Sequence, residues 1–116
     1  MKSLLLELKR HKTMETSRKP HRMILFKKKD CAPCAHAMRS LEEVLATNPD
    51  FRQHVVVLQK ENHPALVASY ELEQYPTVLV LDRSVDLIQK VQGGFKMTES
   101  WWFEALSLIH LAERDR

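Results

Sequence analysis

Glycine and cysteine are almost missing from this chain, with two of each in 116 residues. Two glycines and five prolines argue against a long disordered linker. No apolar run approaches the roughly 20 residues that a membrane-spanning helix needs. The start of the chain, Met1 to Glu7, is basic with three leucines. Glu7 and Lys9 end the apolar run, and no small-residue cleavage site follows, so a secretory leader is not expected. The reading is a cytoplasmic protein without a membrane segment. In a reducing compartment a close cysteine pair is catalytic or metal-binding more often than a structural staple. No aromatic residue precedes Phe26, so the basic amino-terminal stretch has nothing to stack on bases, and nucleic acid is not an expected partner.

What is present is an ordinary globular composition, 44% hydrophobic and 28% charged, of one domain's length. The net charge of +3 is uneven. Residues 1–29 hold seven Lys and three Arg against two Glu, +8 in all, which leaves −5 for the rest. Such a surface attracts an acidic protein partner. Residues 1–20 are expected as a basic amino-terminal segment and residues 21–116 as the domain.

Both cysteines fall in Asp30-Cys31-Ala32-Pro33-Cys34-Ala35-His36, after the apolar run Met23-Ile24-Leu25-Phe26 and before a helical pattern. A strand followed by Cys-x-x-Cys at a helix start is a redox arrangement. The first turn of a helix has N–H groups without partners and the positive end of the macrodipole, so a thiolate there is stabilised and becomes a usable nucleophile. Cys34, one turn on, can attack a mixed disulfide made by Cys31. Pro33 suits an early helical position, where its missing N–H has no partner to lose. A buried apolar pair is one alternative. Zinc is another, but it usually takes four ligands. Only one cysteine pair exists; His36 is near, and His11, His21, His54, His63 and His110 are scattered without ligand spacing. No metal is therefore expected.

Read in order, residues 3–12 form a short amphipathic helix capped by Ser3, with a strand at 3–8 as the alternative. Residues 13–22 are a loop. A buried strand follows at 23–28, then a helix from Cys31 or Ala32 to Thr47, with Met38, Leu41, Val44 and Leu45 on one stripe and Asn48-Pro49-Asp50 as its stop. A second strand spans 54–59. A helix capped by Asn62 or His63, with Pro64 in its first turn, runs to about Glu71. A hairpin of 77–81 and 87–92 turns at Asp82-Arg83-Ser84, and Gly93-Gly94 breaks it. Thr98 caps a last helix running to about Ala112, with Trp102, Leu106 and Ile109 inward, Phe103 and Ala105 beside them, and Trp101 as the outer tryptophan. Strands alternating with helices make an α/β sheet with parallel members, to which the hairpin adds antiparallel ones.

Cys31-Ala-Pro-Cys34 at a helix start, Tyr75-Pro76-Thr77 opening a strand, and this order of elements together resemble the thioredoxin family from about residue 22 onward. The resemblance implies a three-layer α/β/α sandwich with a mixed central sheet of about four strands. It implies a thiol–disulfide oxidoreductase, reducing protein disulfides through a Cys31/Cys34 dithiol–disulfide cycle, monomeric and without organic cofactor. A reductase or small thiol would supply electrons. It implies a cis Pro76 packed against the redox pair, Tyr75 offering its backbone to substrate, and Gly93 or Gly94 as the small residue that lets a partner approach. The departures are specific. The family commonly has Trp where Asp30 stands, Gly where Ala32 stands, and an aromatic where Lys27 stands. Its buried acid and the Lys partnering it match Leu25 and Val57, so proton handling at Cys34 needs water or another group. Asp30 opposes the Cys31 thiolate while Lys27, Lys28, Lys29 and the helix start favour it, although the lysines also suit a solvated strand end. His36 reads as an exposed helical residue rather than a proton shuttle. A binding module without turnover is the alternative to the oxidoreductase reading, and metal handling by the cysteines with a histidine is a third.

Overall fold

The computed structural model describes residues 19–114. The expected helix at residues 3–12, its strand alternative and all of the basic segment except Lys19 and Pro20 lie outside them.

Strand β1 (Arg22–Lys27) runs through the inside of a four-stranded sheet ordered β2-β1-β3-β4. Its apolar residues alternate between faces, Met23 and Leu25 on one and Ile24 and Phe26 on the other. A strand covered on both faces needs such a continuous run. Helix α1 (Ala32–Thr47) carries the chain over to β2 (Val55–Gln59), which pairs parallel to β1 with Leu25 opposite Val57. Strand β3 (Thr77–Leu81), buried throughout, pairs antiparallel on the other side of β1. Strand β4 (Leu87–Gln92) closes the hairpin at a largely exposed edge, with a register irregularity at Val80/Leu81.

Helix α1 and the last helix, α3 (Glu99–Arg114), cover the face that carries Met23, Leu25, Val78 and Val80. Ala37, Leu41, Val44 and Leu45 supply the buried stripe of α1, and Trp102, Leu106 and Ile109 that of α3. The Trp102 indole N–H donates to the Ala37 carbonyl at 3.2 Å, so the two helices are joined by a directed bond as well as by packing. The opposite face, with Phe26, Leu79 and Leu81, is covered by Leu66, Val67 and Leu72 in and after the short helix α2 (Pro64–Ser69). The architecture is the expected three-layer α/β/α sandwich.

Local signals explain the helix ends. The Thr98 hydroxyl accepts from the Trp101 N–H at 3.2 Å and caps α3. Asn48 donates its side-chain amide to the Val44 carbonyl at 3.0 Å and closes α1 before Pro49. Several expectations need correction. His63 occupies the cap position of α2 but makes no side-chain cap bond. That helix stops at Ser69, because Leu72 N–H turns back to Val67 O and Glu71 adopts a left-handed backbone (φ 53°). Short 3₁₀ turns at Pro49–His54, Lys60–Asn62 and Gly94–Lys96 join the elements, and the first takes in His54, so β2 begins at Val55 rather than at residue 54. Phe103 is exposed rather than beside the core stripe, while Trp101, half-buried with its ring edge-on to the fully buried Trp102, is the outer of the pair as expected.

Candidate active site

The site is assembled where β1 feeds α1. Asp30 bends the chain with a left-handed backbone (φ 53°), and Cys31 follows as the N-cap of the helix. The Cys31 Sγ accepts the Cys34 N–H at 3.2 Å, as a capping side chain does for an orphan first-turn donor. Cys31 and Cys34 are at disulfide distance, with Cα atoms 5.1 Å apart. The two sulfurs differ in access: Cys34 is buried and Cys31 half-buried, so a partner reaches Cys31 first. Ala32 is exposed beside it, and Pro33 sits in the first turn as the sequence implied.

Two segments distant in sequence close on this turn. The Tyr75–Pro76 bond is cis, and the Tyr75 carbonyl lies 3.8 Å from the Cys31 Sγ. The Gly93 N–H donates to the Pro76 carbonyl at 3.0 Å, which ties the end of the hairpin to the cis turn. The two glycines have different reasons to be glycine. Gly93 has φ +102°, which L side chains rarely adopt, and open space where a side chain would point. Gly94 is buried against Pro33, and a Cβ there would stand 2.3 Å from the Pro33 carbonyl oxygen. The structure therefore brings together Cys31, Cys34, Tyr75, Pro76 and Gly93, and adds Gly94 as the residue in contact with the redox turn.

Lys29 and Asp30 are exposed beside the pair. The Lys29 N–H reaches a Glu61 carboxylate oxygen at 3.4 Å, and Lys60 stands over the Tyr75 ring, 5.5 Å from its centre. Burial, with the Glu61 charge adding to it, holds the Tyr75 phenol above its ordinary range. Next to Cys31 opens a groove of about 490 Å³, lined by Lys27, Lys28, Lys29, Asp30, Arg39 and Gln59 beside the two cysteines. Its breadth was not legible in sequence, because Arg39 and Gln59 join the lysines only through the fold.

Between the sheet and α1 the core is apolar. Leu25 and Val57, opposite each other on β1 and β2, both pack into the α1/α3 cluster. Among the described residues no group of three metal-ligating side chains occurs. Two histidines read as scattered do meet. His54 Nε2 and His110 Nδ1 are 2.9 Å apart, at the end of the 3₁₀ turn before β2 and near the end of α3. They are 56 residues apart in sequence, a separation that no local pattern reports.

This geometry is that of the thioredoxin fold with a Cys-x-x-Cys pair at the head of its first described helix. Solved structures similar to this chain carry the same fold. The thioredoxin Deadhead of Drosophila melanogaster is 18% identical, covers 84% of this chain and 88% of its own, and superposes with a TM-score of 0.57. Chloroplastic thioredoxin z is 18% identical over 89% of each chain, with a TM-score of 0.58. Mitochondrial thioredoxin 3 of Saccharomyces cerevisiae is 17% identical, over 86% of this chain and 88% of its own, at 0.56. No protein-family model matches the sequence, and no curated protein matches it either.

Proposed function

We propose that this chain is a thiol–disulfide oxidoreductase acting on protein disulfides. The observation that carries the reading is a half-buried Cys31 sulfur at a helix N-cap, 3.8 Å from the carbonyl preceding a cis proline, with a second cysteine buried one turn beyond. In the reduced form, Cys31 as thiolate would attack one sulfur of a substrate disulfide. That breaks the substrate S–S bond, releases its other sulfur as a thiolate and forms a mixed disulfide. Cys34, after giving its proton to solvent, would attack the Cys31 Sγ, remake the Cys31–Cys34 disulfide and release the second substrate thiol. Two electrons pass to the substrate, and an external dithiol or thiol donor restores the pair. The Cys31 roles of Ala32, Pro33, Asp30 and Lys29 would be to tune the sulfur; those of Tyr75, Pro76 and Gly93 would be to hold an extended substrate segment in line. A monomer in the cytoplasm, charged by a reductase or a small thiol and working without organic cofactor or metal, fits this scheme.

The test is covalent trapping in the full chain. Cys34→Ser should accumulate a mixed disulfide through Cys31 with a peptide-disulfide substrate, seen by mass; Cys31→Ser should neither trap nor turn over. If Cys34→Ser trapped nothing while remaining folded, the scheme would fail. A second reading, a binding module without turnover, is favoured by the apolar Leu25–Val57 pair, which puts no ionisable side chain at those two core positions. A double Cys31→Ser, Cys34→Ser variant that kept full biological function would favour that reading instead.

A further inference from the structure

The groove beside Cys31 is strongly one-signed. Lys27, Lys28, Lys29 and Arg39 line it, with Asp30 as the one carboxylate of the lining. Lys29 lies near Glu61, but neither Lys27, Lys28 nor Arg39 takes part in an ion pair among the described residues. Cations gathered in a concave surface next to low-dielectric protein focus their field, raise the local concentration of anions and speed their encounter. The charges come from two elements, the end of β1 with the bend after it and the second turn of α1. They are distributed along the groove rather than gathered at one point, which suits several carboxylates along a chain better than one small anion. Both cysteines are among the residues that line the groove, so whatever occupies it lies beside the redox pair.

We propose that this groove docks an acidic peptide segment, so that the chain acts preferentially on protein disulfides flanked by Asp or Glu. The proposal rests on the redox reading of Cys31 and Cys34, and its test separates the two. The pre-reduced full chain is mixed with three cystine peptides of one backbone, flanked by Glu, Ser or Lys, and loss of protein thiols is followed in a single turnover. At low salt the Glu peptide should react ~10-fold or more faster than the Lys peptide, the lower end of electrostatic steering. That advantage should shrink toward unity at about 0.5 M salt, where the screening length falls to a few ångströms. The double variant Lys28→Glu, Arg39→Glu should reverse the order of the Glu and Lys peptides, and Lys28→Gln, Arg39→Gln should flatten it. Equal rates for the two charged peptides, or a preference that survives both variants, would overturn the proposal while reaction with the Ser peptide left the redox reading standing. Oxidised glutathione reacting faster than the Glu peptide would put a small anionic disulfide in the groove and overturn it too. No reaction with any of the peptides would remove the redox reading itself.

Discussion

At the scale of single residues, the site depends on what Gly94 lacks. Its missing Cβ is the space in which the Pro33 carbonyl sits, and Pro33 separates the two cysteines. Because the two closest crowding atoms are backbone, they move only if the redox turn moves. Gly94→Ala should therefore destabilise the protein by ~1–3 kcal/mol, the usual cost of overpacking, and should also slow the reaction of Cys31 with a peptide disulfide. Chemical denaturation checks the first effect and a thiol-loss assay the second. A variant that lost stability but reacted at the wild-type rate would show that the Pro33 contact does not position the sulfur. The Leu25–Val57 pair is the opposite kind of residue-scale feature. An acid alone at buried Leu25 or a lysine alone at half-buried Val57 would be an unpaired charge, and two apolar side chains avoid that cost together.

Among the elements, the β3–β4 hairpin carries a visible local strain. Asp82 organises its turn, with one carboxylate oxygen accepting the N–H groups of Ser84 and Asp86 at 2.9 Å each. The turn places Val85 in a left-handed backbone, φ 68°, where a β-branched residue is crowded. Val85 is also 62% exposed, so it contributes little burial in return. Val85→Gly should raise stability by about 1 kcal/mol, the order of the relieved strain, measurable as a higher denaturation midpoint. A lower midpoint would mean that the side chain makes a contact worth more than its backbone strain. Sequence placed the turn at Asp82–Ser84 because Asp and Ser are turn formers. Its extension to Asp86 depends on where β4 enters the ladder, which β3 decides.

For the molecule as a whole, the His54–His110 contact ties the 3₁₀ turn that leads into the edge strand β2 to the end of α3. Burial first, then the nearby His110, holds the His54 imidazole below its ordinary range; Arg22 and His21 act in the same sense and Glu113 against it. A histidine whose folded value is depressed is protonated more readily in the unfolded chain. Its contribution to stability is therefore complete above the unfolded value, about 6.5, and is lost as pH falls toward the folded one. The melting temperature should drop on acidification from pH 7 to 5.5, and His54→Gln should reduce that drop. A slope unaltered by the substitution would assign the acid sensitivity to other groups.

The elements and the cysteine pair were legible because each is written locally. Strand 77–81 and strand 87–92 appear with the expected bounds, and α1 starts at Ala32 and ends at Thr47, since caps, prolines and apolar periodicity act within a few residues. The 3₁₀ turn at Pro49–His54 escaped because Phe51 and His54 are ordered by burial against other elements, not by a local signal. Tertiary structure alone decided that the Tyr75 carbonyl faces Cys31 from 44 residues away, that Gly94 rather than Gly93 meets Pro33, that His54 finds His110, and that Arg39 and Gln59 complete the basic groove. Those contacts follow from the strand order β2-β1-β3-β4 and from which helix covers which face. That order is set by burying the two faces of one sheet together, a condition on the whole chain that no short stretch of sequence expresses.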